Sequence, residues 1–169
     1  MGMVMTMLTV SDATIKRLQA DPAELQAIFD AMGAEPDASQ DEGIEGDLDK
    51  AWHGLHYLLT GTAADGEGPL ASLLHGGVKI GDEEYGYDVP RAMTANEVQS
   101  FHEALARMDV KTLRGRYDPR AMHKAEIYPQ IWTNEGEAGF EYLIENLDIL
   151  KKFTGAAVQR RMGMLLALM

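Results

Sequence analysis

The sequence predicts an α+β fold: one small mixed or antiparallel sheet that includes both terminal strands, packed with several amphipathic helices. Two observations carry this. Residues 3–10 and 162–169 are short apolar runs with neither a helix cap nor a 3.6-residue stripe, the pattern of buried strands. Between them, one segment after another opens on a capping residue and repeats its apolar residues at helical spacing. Pairing the two terminal strands in one sheet would also hold ends that otherwise fray. At 169 residues and 46% hydrophobic, the chain is long enough for one buried core and short for two, so residues 1–169 are expected to form a single domain.

After the first strand, Ser11 caps a helix over residues 12–20. Asp21-Pro22-Ala23-Glu24 then opens a second with an N-cap, a proline at the first position and a glutamate three residues after the cap. It runs to Met32 and stops at Gly33. Residues 33–46, GAEPDASQDEGIEG, carry one large apolar residue, Ile44, and read as a solvated, mobile acidic loop. Such a loop could mimic nucleic acid toward a basic partner, although solvation is the simpler reading of a charge run.

Residues 47–61, DLDKAWHGLHYLLTG, form the central helix, with Leu48, Ala51, Trp52, Leu55, Leu58 and Leu59 on one buried arc. The glycine-rich stretch that follows lacks the Gly-Lys-Ser/Thr ending of a phosphate loop, which argues against a nucleotide site. Pro69 opens a short helix to His75, stopped by Gly76-Gly77. Residues 78–80 and 85–89 read as short strands about a turn at Gly81-Asp82, with 91–94 extending the second. Thr94 and Glu97 make a capping box for a helix through Met108, whose Val98, Phe101, Leu105 and Met108 fall 3, 4 and 3 residues apart. Asp109 caps a short helix through Arg116, and Asp118-Pro119 another through about Ala125. Residues 137–161 make a long amphipathic helix that could break at Thr154-Gly155, before the closing strand.

The order and spacing of Met1-Gly2-Met3, Asp47 to Trp52, Leu55-His56-Tyr57, Leu59-Thr60-Gly61, Pro69-Leu70 and Ile127-Tyr128-Pro129 span most of the chain. On these residues it resembles the YfbM-like bacterial proteins, a domain family of unknown function (DUF1877). The resemblance implies a compact α+β fold built around the central helix, with no activity, cofactor or catalytic residue to carry over. It implies a histidine at position 56 without requiring one at 53, which weighs against any chemistry that needs both.

Asp49, His53, His56 and Thr60 follow one another at i, i+4, i+7 and i+11, along the edge of the helix's buried arc. Tyr128-Pro129 and Trp132 could wall a pocket beside them. These six residues, Asp49, His53, His56, Thr60, Tyr128 and Trp132, are the candidate site. Asp49 and His56 lie about 10 Å apart along a helix axis, so Asp49 cannot orient His56 directly and a dyad on this helix would have to use His53. His56 reaches Thr60, but a threonine without a base and oxyanion donors is no nucleophile. His53 and His56 could meet one metal ion only if His75, His102 or His123 completed the set, so no metal is assigned. In the bland alternative, His56 is a hydrogen-bonded structural histidine and Gly54 serves close packing. Lys111, Arg114, Arg116, Arg120 and Lys124 form a basic segment that could hold an anion, or simply pair with the protein's own carboxylates.

The formal charge of −12 opposes general nucleic-acid binding and contact with anionic lipid. The absence of cysteine excludes disulfides, thiol nucleophiles and thiolate metal sites. Neither a convincing signal peptide nor a membrane span is present, so a cytoplasmic location is the default and no cofactor is assigned. A non-catalytic binding or regulatory protein, one that could neutralise a basic protein partner, fits these constraints. A small hydrolase or transferase with a histidine-centred pocket on helix 47–61 is the alternative, and self-association through the methionine-rich terminal strands a third.

Overall fold

The computed structural model describes residues 2–33 and 43–169. The elements run β1 (Met5–Val10), α1 (Asp12–Ala20), α2 (Glu24–Ala31), β2 (Glu45–Asp47), α3 (Trp52–Thr60), a 3-10 turn (Pro69–Ala71), α4 (Ser72–His75), β3 (Val78–Lys79), β4 (Arg91–Met93), α5 (Ala95–Ala106), α6 (Val110–Arg116), α7 (Pro119–Lys124), α8 (Trp132–Glu135), α9 (Glu137–Gln159) and β5 (Gly163–Leu168). The acidic loop expected over residues 33–46 lies largely outside the described residues.

The five strands form one antiparallel sheet in the order β2-β1-β5-β4-β3. Both terminal strands are in it, side by side, in a register that pairs Met5 with Leu168 and Val10 with Gly163. One further pair of bonds, Val4 N–H to Met169 O at 2.7 Å and Met169 N–H to Val4 O at 2.8 Å, carries the ladder beyond the strand ends.

Side chains alternate across the sheet. Met5, Met7, Met93, Met164 and Leu166 face the main core, which α3 and α5 to α9 close. Val10, Ala92 and Leu165 face the opposite way, onto Ile15 and Leu18 of α1 and Leu25 of α2. Of the terminal methionines, Met5, Met7 and Met164 are buried and Met169 is exposed, while β1 and β5 are interior strands with neighbours on both sides.

Several caps act as their sequences require. Ser11 accepts from Thr14 N–H, Asp109 from Thr112 N–H, and Asp118 from Arg120 and Ala121 N–H. Both arms of the Thr94–Glu97 box are formed. α9 runs unbroken through Thr154-Gly155, and Thr154 Oγ1 donates back to Leu150 O, at 3.0 Å, within its own helix. The imidazole of His102 fills the space above Gly155 and bonds Thr154 Oγ1 through Nδ1 at 2.8 Å.

Three expectations need correction. Residues 45–47 form a strand although Glu-Gly-Asp has little β propensity, since backbone pairing to Thr6, Met7 and Leu8 suffices. The central helix consequently begins at Trp52 and not at residue 47, after Asp49 has turned the chain with φ 46°. Residues 85–89 are a tight turn bridged by Tyr85 and Asp88, and β4 is the strand that pairs with both β3 and β5. The apolar residues of this segment are buried as expected, Leu48 and Ala51 before the helix and Leu55, Leu58 and Leu59 within it, all at 2% exposure or less. Gly61 ends the helix at φ 78° and bonds Tyr57 O.

Candidate functional site

Of the four polar residues expected on one strip of the central helix, Asp49 turns to α9 while His53, His56 and Thr60 bond toward the loop that follows the helix. Asp49 precedes the helix, and its Oδ2 accepts a 2.8 Å bond from the Tyr142 hydroxyl of α9. The Tyr142 oxygen accepts in turn from Lys50 N–H at 3.1 Å. Burial, reinforced by the Asp49 carboxylate, keeps the Tyr142 hydroxyl protonated far above the usual phenol range.

His53 lies one turn into the helix and spends both ring nitrogens. Nδ1 accepts from Tyr128 N–H at 2.9 Å, and Nε2 bonds Ala63 O at 2.8 Å. Its ring stacks on Trp52 at 5.1 Å, and Trp52 stacks on Tyr128 at 5.7 Å. Burial pushes the His53 pKa down, and the bond to Ala63 O offsets this in part.

His56 is 0% exposed, sealed from solvent with Nε2 bonded to Asp65 O at 2.8 Å. Its Nδ1 is buried without a hydrogen-bond partner. Burial depresses its pKa, the Asp65 carbonyl opposes that, and His75 and His53 nearby add to the depression. Thr60 Oγ1 donates to His56 O at 2.8 Å and holds the end of the helix. Trp132 is fully buried, with Nε1 donating to Ile127 O at 2.8 Å.

What the fold does bring together is a groove along the Tyr128-Pro129 turn, whose linking peptide bond is cis. On one side of Pro129 is a depression of about 620 Å³ lined by Met3, Trp52, His53, Glu126, Tyr128 and Gln130. On the other is one of about 320 Å³ whose walls include Asp49, Lys50, Ile131, Glu135 and Tyr142. Asp49, His53 and Tyr128 from the expected site are in these walls, whereas His56, Thr60 and Trp132 are not.

Two features set the groove apart. Asp49, Glu126, Glu135 and Lys50 give its walls three carboxylates against one ammonium, and none of the four joins an ion pair among the described residues. Moreover, Asp49, Glu126 and Gln130 are three of the four non-glycine residues with positive φ among the described residues, at 46°, 57° and 60°. Left-handed backbone costs a side-chain-bearing residue about 1–2 kcal/mol, and such outliers concentrate where ligands are held. Glu126, Gln130, Glu135 and Tyr142 escaped sequence reasoning; the one available signal was the pair of polar residues flanking Ile-Tyr-Pro.

Elsewhere, a cleft of about 410 Å³ between α4 and α5 is lined by Ser72, His75, Asn96, Glu97 and Ser100 among others. Its Ser72 hydroxyl is taken by Pro69 O and its Glu97 by the capping box. The basic segment is also partly spent: Arg114 pairs with Glu137 at 2.7 Å over the Phe140 ring, and Arg116 donates to Leu58 O and Leu59 O at the end of α3. Among the described residues, no three His, Asp or Glu side chains gather closely enough to hold a metal ion, and no helix is long and apolar enough to cross a membrane.

Comparison with known proteins adds the fold's relatives. A family model for a domain of unknown function (DUF1877) matches residues 1–167. A solved structure, the crystal structure of YfbM from Escherichia coli, itself a protein of unknown function, superposes with a TM-score of 0.76 at 19% identity, over 99% of this chain and 100% of that one. No curated protein matches the chain.

Proposed function

Since the chain belongs to the DUF1877 family, whose function is unknown, we propose its role from its own groove: a non-catalytic, cytoplasmic binding protein that takes a basic segment of a partner protein along Tyr128-Pro129. One observation carries this reading. Glu126 stands beside an aromatic wall of Trp52 and Tyr128, Asp49 and Glu135 line the depression across Pro129, none of the three joins an ion pair among the described residues, and Asp49 and Glu126 have left-handed backbone. A Lys or Arg side chain laid there gains the carboxylates' field and an aromatic face, and the formal charge of −12 steers a basic partner inward from a distance. Such an occupant would have its cationic segment masked, which is how the protein would neutralise or regulate it.

A histidine-centred hydrolase or transferase draws no support from this geometry, because His56 reaches no cleft and His53 has no nitrogen free to take a proton from a substrate.

The test is an NMR titration of labelled protein with a Lys/Arg-rich peptide and, separately, a Glu-rich peptide of equal length. Shifts at Glu126, Tyr128, Gln130 and Glu135 with the basic peptide alone, weakened severalfold in E126Q/E135Q and by added salt, would support the reading. Shifts spread evenly over the acidic surface, or none at all, would overturn it.

A further inference from the structure

Three imidazoles converge on one short loop. After α3 the chain passes through Thr62-Ala63-Ala64-Asp65 without strand or helix, and the carbonyls of Ala63, Ala64 and Asp65 are each bonded by a histidine Nε2, from His53, His75 and His56 respectively. We propose that these histidines form a proton-operated clasp, which holds the 62–65 loop, and through His53 the Tyr128 turn, only while His53 and His56 are neutral.

The bonds themselves fix the protonation states. A carbonyl oxygen can only accept, so each Nε2 carries the proton. Tyr128 N–H donates to His53 Nδ1, which must therefore be a bare lone pair. A proton added there would set N–H against N–H and break the link to Tyr128. At His56 the added proton would go to Nδ1, which is buried and has no acceptor, so the ring would hold a charge with one donor unsatisfied. His75 differs in being exposed to solvent at its bond to Ala64 O.

The charged groups around the clasp do not rescue the imidazolium forms. His56 and His75 face each other with ring centroids 5.8 Å apart, so a charge on one opposes a charge on the other. Asp65 meets His56 through its carbonyl while the residue itself is exposed, as is Glu67 in the same loop. Glu126 shares the groove wall with His53, and Glu97 shares the neighbouring cleft with His75. Arg116, on the last carbonyls of α3, adds positive charge at the far end of the helix. None of the ion pairs among the described residues includes a histidine.

Acidification thus favours a locally opened state in which both rings are free to charge. Going from pH 7.5 to 5.5, its population rises by up to about tenfold if one ring must charge and up to about a hundredfold if both do. The Tyr128 turn is also a wall of the proposed groove, so release would loosen that wall; this last step rests on the groove reading, and the clasp does not.

The experiment uses the labelled full chain without any ligand, so its failure is separate from failure of the groove. It follows the ring nitrogens of all five histidines, Tyr128 amide exchange corrected for intrinsic rate, and the carbonyl shifts of Ala63 and Asp65 from pH 7.5 to 5.5. The clasp predicts midpoints for His53 and His56 below that of a free imidazole. It also predicts a ten- to hundredfold loss of Tyr128 protection and carbonyl shifts that move with it, while Leu143 and Leu147 in α9 keep their protection. H53Q, which cannot be protonated, should show a smaller pH dependence at Tyr128, keeping only the part that His56 carries; if it does not fold, the wild-type ring titrations still decide. Ordinary midpoints, unchanged Tyr128 protection, or an equal loss across α9 would each overturn the clasp.

Discussion

Replacing Gly54 with alanine tests how closely α3 is pressed against its neighbours. A Cβ at this position would sit 2.7 Å from Leu143 Cδ2 and 2.8 Å from Trp132 Cη2. Both are well inside van der Waals contact, and they press from two different elements. The leucine methyl can swing aside, but the Trp132 ring is fully buried and held by its bond to Ile127 O, so the helix itself must move. Overpacking of this kind costs about 1–3 kcal/mol. Against it, alanine favours a helix over glycine by about 0.5–1 kcal/mol. The expected net loss is about 1–2 kcal/mol, a fall in Tm of about 2–8 °C for a chain of this length. Urea unfolding followed by circular dichroism should show a lower midpoint with an unchanged slope. Gly115 is the control: it lies in α6 with nothing within 4 Å of an added Cβ, so G115A should gain the helix term of about 0.5–1 kcal/mol. The penalties of G54A and L143A should also add to less than their sum, because shortening Leu143 relieves half of the clash. A G54A protein as stable as the wild type would refute the argument.

Other perturbations follow from single features. Arg91, 9% exposed, donates to the carbonyls of Ser72, Leu73 and Gly76 at the end of α4, so R91M should cost about 2–4 kcal/mol in thermal unfolding and R91K less, since lysine restores some donors. A melting temperature for R91M within a degree of the wild type would remove Arg91 from the account. T94A deletes one arm of the α5 capping box and should cost about 1 kcal/mol, measured by urea midpoint, with T94S recovering most of it. His53 and His56 have pKa values lowered from 6.5 in the folded chain, so the unfolded chain binds their protons first. The stability they contribute is complete above about pH 6.5 and is lost as pH falls below it toward their folded pKa values. The urea midpoint should therefore decline from pH 7.5 to 5.5, less steeply in H53Q, and a flat or rising midpoint would contradict the two shifts.

Much of the fold was legible because it rests on local rules. The periodicity of Leu48 to Leu59 identified the buried residues in and just before α3, and Ser11, Thr94, Asp109 and Asp118 identified helix starts through the orphan N–H groups they satisfy. β2 was hidden because its pairing with β1 is a backbone property, and Gly46 is there for space: a Cβ would meet Phe153 and Met7 within 3 Å. The site was less legible than the fold. Extending the helix back to residue 47 placed Asp49 on a strip with the histidines, and its left-handed φ takes it off that strip. Asp49 does not orient His56, for a reason other than the helical separation: it lies before the helix and accepts from Tyr142. His53, His56 and His75 meet through a loop whose path no helical spacing could reveal.

The position of β5 has a consequence for biosynthesis. This strand lies between β1 and β4, and it is translated after every other strand of the sheet. Without it the native pairings leave two separate ribbons, β2-β1 and β4-β3, with no sheet pairing joining them. Closing the sheet requires β5, since Met5 pairs with Leu168 across about 160 residues of chain. A ribosome stalled before residue 163 would carry a chain with two open strand edges, the kind of surface on which holding chaperones act and intermolecular pairing begins.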